Sequence, residues 1–286
     1  MVDGAGNLGG YEPFNEAHAI YSCALSLSFG PPSDRPSRWP ALLNVAQRIG
    51  RELNLGVPTP SNGLNLTFDP QRISVSLNRP APVGGEAVGV EYATMDENGR
   101  VLDRFIVGED ALVVQTYAYI RWVHFFERAR RFCERIFDFY GINALGATKL
   151  EYWDRFEHRD GNVARDLTRL VRPDSPYIAK AAFHPDELWH SNIGRFDTED
   201  GYRRLLNVRV DVVDGPLITG RMGRIVAIYT MAQDSPAAGL PELKASELRA
   251  LPSALSALGR QHDLLKSVFS QVISQEAASR IALLEA

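Results

Sequence analysis

The chain has 286 residues, is 45% hydrophobic and carries a net charge of −4. That is enough apolar material for one large domain or two small ones with a substantial core. The balance excludes a globally basic nucleic-acid coat and an acidic disordered tail, so a nucleic-acid role would need a local basic patch.

From the N-terminus, residues 4–9 read G-A-G-N-L-G, the glycine spacing of a dinucleotide-binding turn. Such a turn needs a buried strand before the first glycine and a helix after the last, whose N-terminus faces the pyrophosphate. Only Met1, Val2 and Asp3 precede Gly4, and Gly10-Tyr11-Glu12-Pro13 opens no helix. Residues 1–14 are therefore read as a flexible tail, and no cofactor is expected. The start also lacks the basic and apolar segments of a signal peptide. No apolar run reaches the roughly 18 residues that cross a bilayer. Cys23 and Cys133 both sit in apolar patterns and read as core residues of a reducing compartment. A cytoplasmic protein without membrane contact is expected.

His18 to Phe29 alternates Ala24, Ser26 and Ser28 with Leu25, Leu27 and Phe29, the period of a half-buried strand. After a proline-rich loop, Leu42, Val45, Ile49 and Leu53 fall on one helical face, predicting a helix from Ala41 to Leu53. Short strands follow: Leu64–Phe68, a turn at Asp69-Pro70, Ile73–Leu77, Ala87–Thr94, a hairpin at Asn98-Gly99, Val101–Val107, and Leu112–Val114. Tyr119–Tyr140 carries the clearest helical pattern. Phe125, Phe126, Ala129, Phe132, Cys133, Ile136 and Phe137 share one face, and Gly141 ends it.

A second round then begins. Leu145–His158 reads as a strand and Val163–Val171 as a short helix. Trp189–Phe196, Arg204–Val213 and Arg224–Ala232 read as strands, with turns at Asp200-Gly201 and Asp214-Gly215. Leu251, Leu255, Leu258, His262, Leu265, Phe269 and Val272 keep three–four spacing along a closing helix. Strands grouped between helices point to an α+β fold: one or two twisted antiparallel sheets with long amphipathic helices on one face. Residues 15–143 and 144–286 repeat the order of elements, so the expected organisation is two similar α+β halves after the 1–14 tail.

Of six histidines, His184 and His190 bracket P-D-E-L-W. Helical zinc motifs place two His four apart, and Pro185 breaks a helix, so a polar loop is expected and no metal. Asp197-Thr198-Glu199-Asp200-Gly201 lacks the terminal acid of a calcium loop and reads as a hairpin turn. No G-x-S-x-G elbow, reactive cysteine or P-loop is present, so no catalytic residue is assigned. Arg121, Arg128, Arg131 and Arg135 form a stripe with His124 on the middle helix. Such a stripe either binds phosphates or nucleic acid, as arginines do, or pairs with neighbours such as Glu127. Self-pairing is the commoner outcome on an exposed face. On the 145–158 strand, Asp154 shares a face with Leu150, Tyr152 and Phe156. A carboxyl there either has a partner or has a raised pKa and marks a pocket. His262 interrupts an apolar stripe in the same way. Tyr152, Asp154 and His262 are the candidate ligand-pocket residues.

Four stretches carry a resemblance: Asn15-Glu16-Ala17 before an alternating strand, Tyr119-x-x-Trp122-x-x-Phe125, Leu150-Glu151-Tyr152-Trp153-Asp154-Arg155-Phe156, and the final helix with His262 and Phe269. In these the chain resembles an uncharacterised family of sporadically distributed prokaryotic proteins, over about Asn15 to Ile281. Glu151 stands where that family usually has Arg, and Asp154 where it usually has Asn. The resemblance implies a cytosolic protein encoded among mobile or defence genes, and it supplies no active site. The leading functional expectation is a non-enzymatic binding or assembly protein, a homo-oligomer or complex subunit. The alternatives are nucleotide or nucleic-acid binding through the arginine stripe, and a small-ligand receptor or enzyme with its pocket near Tyr152 and Asp154.

Overall fold

The computed structural model describes residues 8–15, 17–29, 39–61, 67–69, 72–76, 89–108, 111–140, 145–158, 166–183, 188–240, 244 and 247–283. The strands are β1 (Tyr11–Pro13), β2 (Ile20–Phe29), β3 (Thr59–Ser61), β4 (Thr67–Asp69), β5 (Arg72–Ser76), β6 (Gly89–Met95), β7 (Val101–Gly108), β8 (Ala111–Thr116), β9 (Leu145–His158), β10 (Trp189–Glu199), β11 (Tyr202–Pro216) and β12 (Met222–Pro236). The helices are α1 (Trp39–Glu52), α2 (Trp122–Tyr140), α3 (Leu251–Val272) and the short α4 (Gln275–Arg280).

Ten strands form one antiparallel sheet in the order β10-β11-β12-β9-β2-β8-β7-β6-β3, with β1 pairing the end of β9; β4 and β5 pair separately. The fold is α+β, as the grouping of strands between helices indicates. Strands from residues 15–143 fill one side of the sheet and strands from residues 144–286 the other. They meet where β2 pairs β9. One core cluster runs across that seam. It holds Leu25, Leu27, Val107 and Val114 from the first side and Leu150, Val208, Val210 and Ile228 from the second. With them pack Phe125, Phe132 and Ile136 of α2 and Leu258, Leu265 and Phe269 of α3. Burying each of these large side chains contributes about 1.5–3 kcal/mol. Both cysteines are free and buried. Among the described residues, no helix is long and apolar enough to cross a membrane.

The strand over 145–158 and the helix over 251–272 fall where their patterns place them. Other elements differ for local reasons. The segment 1–14 is not loose over its described part. Leu8 and Tyr11 are buried, and β1 adds to β9. The pairing of β2 with β9 stops at Asp154, so the edge of Phe156–His158 is left for β1. The helix expected over 163–171 is a single 3₁₀ turn at Leu167–Arg169 in its described part. The Asp166 side chain accepts the Thr168 N–H, Val171 bridges Ile273, and Pro173 disfavours helix at Arg172. The turn at Asp214-Gly215 lies further on, with Leu217 N–H donating to the Arg221 carbonyl at 2.8 Å. Asp214 stays in the ladder opposite Arg224 and pairs with it at 2.7 Å. The hairpins at Asn98-Gly99 and Asp200-Gly201 form as read. Gly99 (φ 75°), Asp200 (φ 51°) and Gly201 (φ 84°) adopt the left-handed conformation these turns require. Residues 1–7, 62–66, His184 and Gly141, on which expectations also fell, lie outside the described residues.

Candidate ligand cavity

Strand β9 is paired on both sides, by β12 and by β2, so its backbone is held and its side chains alternate strictly. Leu150 and Phe156 point into the core and are fully buried. Tyr152 and Asp154 lie between them on the same side. Opposite Asp154 and Tyr152 stand Ile20 and Cys23 of β2, and Ile228 and Thr230 of β12. The β2–β9 register shifts between Ile20 and Ser22, beside Asp154. Such a bulge re-aims side chains and bends the strand locally.

A cavity of about 520 Å³ opens over this point. Its floor is Tyr152, Asp154, Thr230 and residues 17–20. One wall is the segment Tyr119–Val123 at the start of α2, and another is the His262, Leu265, Lys266 and Phe269 face of α3. Residues 281–283 after α4 close the remaining side. The three residues singled out in the sequence, Tyr152, Asp154 and His262, thus line one cavity.

Most polar groups in the cavity are already engaged. The Tyr152 hydroxyl lies 2.8 Å from Nδ1 of His262. Burial lowers the His262 pKa to about 4, so the ring is neutral. We assign the tyrosine as donor to Nδ1, leaving the ring proton on Nε2. The same imidazole stacks on the Trp122 indole at 4.5 Å and 6°. Phe126 also stacks on Trp122, at 4.9 Å. Burial also lowers the His18 pKa. Its Nε2 meets the Tyr119 carbonyl at 2.7 Å, and Asn15 Nδ2 approaches its Nδ1 at 3.1 Å. Asn15 is itself locked, because its Oδ1 accepts the backbone N–H groups of Ala17 and His18. Burial pushes the Tyr119 and Tyr152 hydroxyls and the Cys23 thiol up from their ordinary values.

Asp154 is different. It is 4% exposed, and its carboxyl makes no hydrogen bond or ion pair with a described residue. Burial alone raises its pKa to about 8. An apolar site with no donor favours the neutral acid. Chemically, the cavity offers a buried carboxyl that can ionise and pair or hydrogen-bond, on a floor surrounded by mostly apolar and aromatic walls that also carry Arg121 and Lys266.

The arginine stripe mostly finds protein partners. Arg128 pairs with Asp103 at 3.1 Å, Arg131 with Glu127 at 2.9 Å, and Arg135 lies 3.9 Å from Glu52. Arg130 joins Glu127 and Glu134 at 3.0 and 2.7 Å. Arg121 leaves the stripe. The helix starts at Trp122, because the Tyr119 carbonyl is taken by His18 and Tyr117 N–H still donates to Leu102 in the sheet. Arg121 therefore sits on the cavity lining. His18, Tyr119, Trp122 and Thr230 were not read as pocket residues. Tyr119 and Trp122 carried a signal as a motif. His18 and Thr230 arrive only through the strand order. Among the described residues, no three His, Cys, Asp or Glu side chains gather in a way that could hold a metal ion.

Comparison with protein-family models, with curated proteins and with solved structures finds no match.

Proposed function

We propose that this protein binds a small organic molecule in the cavity over β9, in the manner of a ligand receptor. The observation that carries the reading is Asp154, a buried carboxyl with no partner among the described residues, at the floor of a mostly apolar cavity. Buried polar groups are nearly always hydrogen-bonded, and one left open in a cavity calls for a partner from outside the chain. The volume, about 520 Å³, lies in the range of ordinary small-molecule sites. In this reading the helices pack on one face of the sheet and the cavity lies between them and the central strand. The two halves, which repeat strand and helix order, each contribute a wall. Two unbridged cysteines fit a reducing, cytoplasmic setting.

Native mass spectrometry on protein from its own host tests the reading. A retained species of small-molecule mass at one per chain is expected, released on denaturation and reduced in Asp154→Asn. A bare chain, or a retained species indifferent to Asp154→Asn, counts against the cavity.

Self-association is a second reading, supported by β10. It is the edge of the sheet, and Phe196 on it is 62% exposed. Edge strands are templates for pairing with other strands. Light scattering should then show a concentration-dependent dimer that Phe196→Lys weakens; a monomer at all concentrations removes it.

A further inference from the structure

Resting on that reading, we infer that the ligand is an organic ammonium ion, an amine carried on an apolar or aromatic body. The carboxyl of Asp154 needs a donor. Polar groups on the same lining are engaged with one another: Tyr152 with His262, and His18 with Tyr119 and Asn15. A neutral alcohol or amide would satisfy one lone pair of the carboxyl. A cation would also supply the charge that makes its ionised form stable in an apolar site. Isolated buried charge is costly, whereas a pair with good geometry is tolerated.

The walls define the rest of the ligand. Ile20, Val123, Leu265 and Phe269 give apolar surface for a carbon body. Trp122 serves as a wall, since its indole already stacks with His262 and with Phe126. Attraction for the cation therefore falls on the Asp154 carboxylate, against the like charge of Arg121, which is exposed, and Lys266, which is part-exposed, on the same lining.

This has a pH signature. The titratable groups that line the cavity with Asp154 are Tyr152 on its own strand, Tyr119, Arg121 and His18 from the loops, and His262 and Lys266 on α3; Cys23 on β2 and Tyr119 interact electrostatically with it. Burial holds the two tyrosines and the thiol protonated, and both imidazoles neutral, near pH 7. With its pKa about 8, the free Asp154 carboxyl is protonated there. Binding an ammonium ion then displaces that proton to solvent, and the ammonium N–H takes its place at the carboxylate. Affinity rises about tenfold per pH unit below that pKa and levels above it.

The test is isothermal titration of the whole chain with 4-phenylbutylamine, with 4-phenylbutan-1-ol of similar shape, and with 4-phenylbutyrate, at pH 6.5, 7.5 and 8.5. The amine is expected to bind at least tenfold more tightly than the alcohol at pH 7.5. Its affinity should climb about tenfold from pH 6.5 to 7.5. Asp154→Asn should bring the amine to the level of the alcohol measured on the same variant and abolish its pH dependence. If that variant does not fold, the pH profile and the amine-to-alcohol ratio of the natural chain still decide. Equal binding of amine and alcohol, preference for the butyrate, or a flat pH profile overturns the ammonium assignment while leaving the cavity occupied. Failure of all three probes overturns it as well, and the retained species seen by native mass spectrometry then shows whether the cavity reading falls with it.

Discussion

The Tyr152 hydroxyl lies 2.8 Å from Nδ1 of His262, joining the middle of β9 to the middle of α3 across 110 positions of sequence. Tyr152 is 6% exposed and His262 is half-buried against Trp122, so the bond is partly buried. Tyr152→Phe keeps the ring and removes the donor, leaving Nδ1 unsatisfied. It should cost about 1–3 kcal/mol in urea unfolding.

His262 also gives stability a pH dependence. Its folded pKa, about 4, lies below the ordinary histidine value of 6.5. Between those values the unfolded chain binds more protons. Stability is therefore fully present above about 6.5 and is lost as pH falls toward about 4. In His262→Gln, measured by denaturant unfolding across that window, this acid limb should flatten.

Asp154 acts with the opposite sign. Its folded pKa, about 8, lies above the ordinary aspartate value of 3.8. The folded chain holds the extra proton between them, so stability falls as pH rises through this window, by at most about 1.4 kcal/mol per pH unit. Asp154→Asn removes the proton-linked cost. The variant should be increasingly more stable than the natural chain up to about pH 8, with a constant difference above it.

The arginine stripe should be nearly silent. Arg128 and Asp103 are both partly exposed, at 40% and 15%, and pairs of this kind are worth about 0–1 kcal/mol. Arg128→Ala should change thermal stability little. Short DNA and RNA should show no steep salt-dependent binding in a mobility-shift assay. Strong binding lost in an Arg128→Glu, Arg131→Glu double variant would restore the nucleic-acid reading.

Gly50 in α1 faces the buried ring of Tyr92. A Cβ there would meet Tyr92 Cδ1 and Cζ at 2.9 Å, with Cε1 closer still. Tyr92 is fully buried, so the ring has little room to yield. Gly50→Ala gains helix propensity but overpacks this contact. A net loss of about 1–3 kcal/mol is expected in chemical denaturation.

Much of the site was legible because it lies on regular elements. Period-two alternation on β9 puts Tyr152 and Asp154 on one face. Three–four spacing on α3 puts His262 with Leu265 and Phe269. The contrast of one carboxyl among Leu150, Tyr152 and Phe156 marked the place. The rest depends on which strands are neighbours. β2 lies beside β9 although more than a hundred residues separate them, and that adjacency brings residues 17–20 and the Tyr119 turn to Asp154. Local pattern holds no such long-range information. Arg121 shows the same limit: projected on an ideal helix it joins the stripe, but the hydrogen bond from His18 to the Tyr119 carbonyl delays the helix and sends it to the cavity.

The central claim is that Asp154 has no donor among the described residues. Carboxyl-detected carbon NMR of the ligand-free chain, with Asp154 assigned by comparison with Asp154→Asn, reports its titration directly. A midpoint at about 8, moving down when an amine is added, is the predicted result. A midpoint near the ordinary aspartate value, about 3.9, would contradict the account, because it would mean the carboxyl is already satisfied and the cavity is not waiting for a partner.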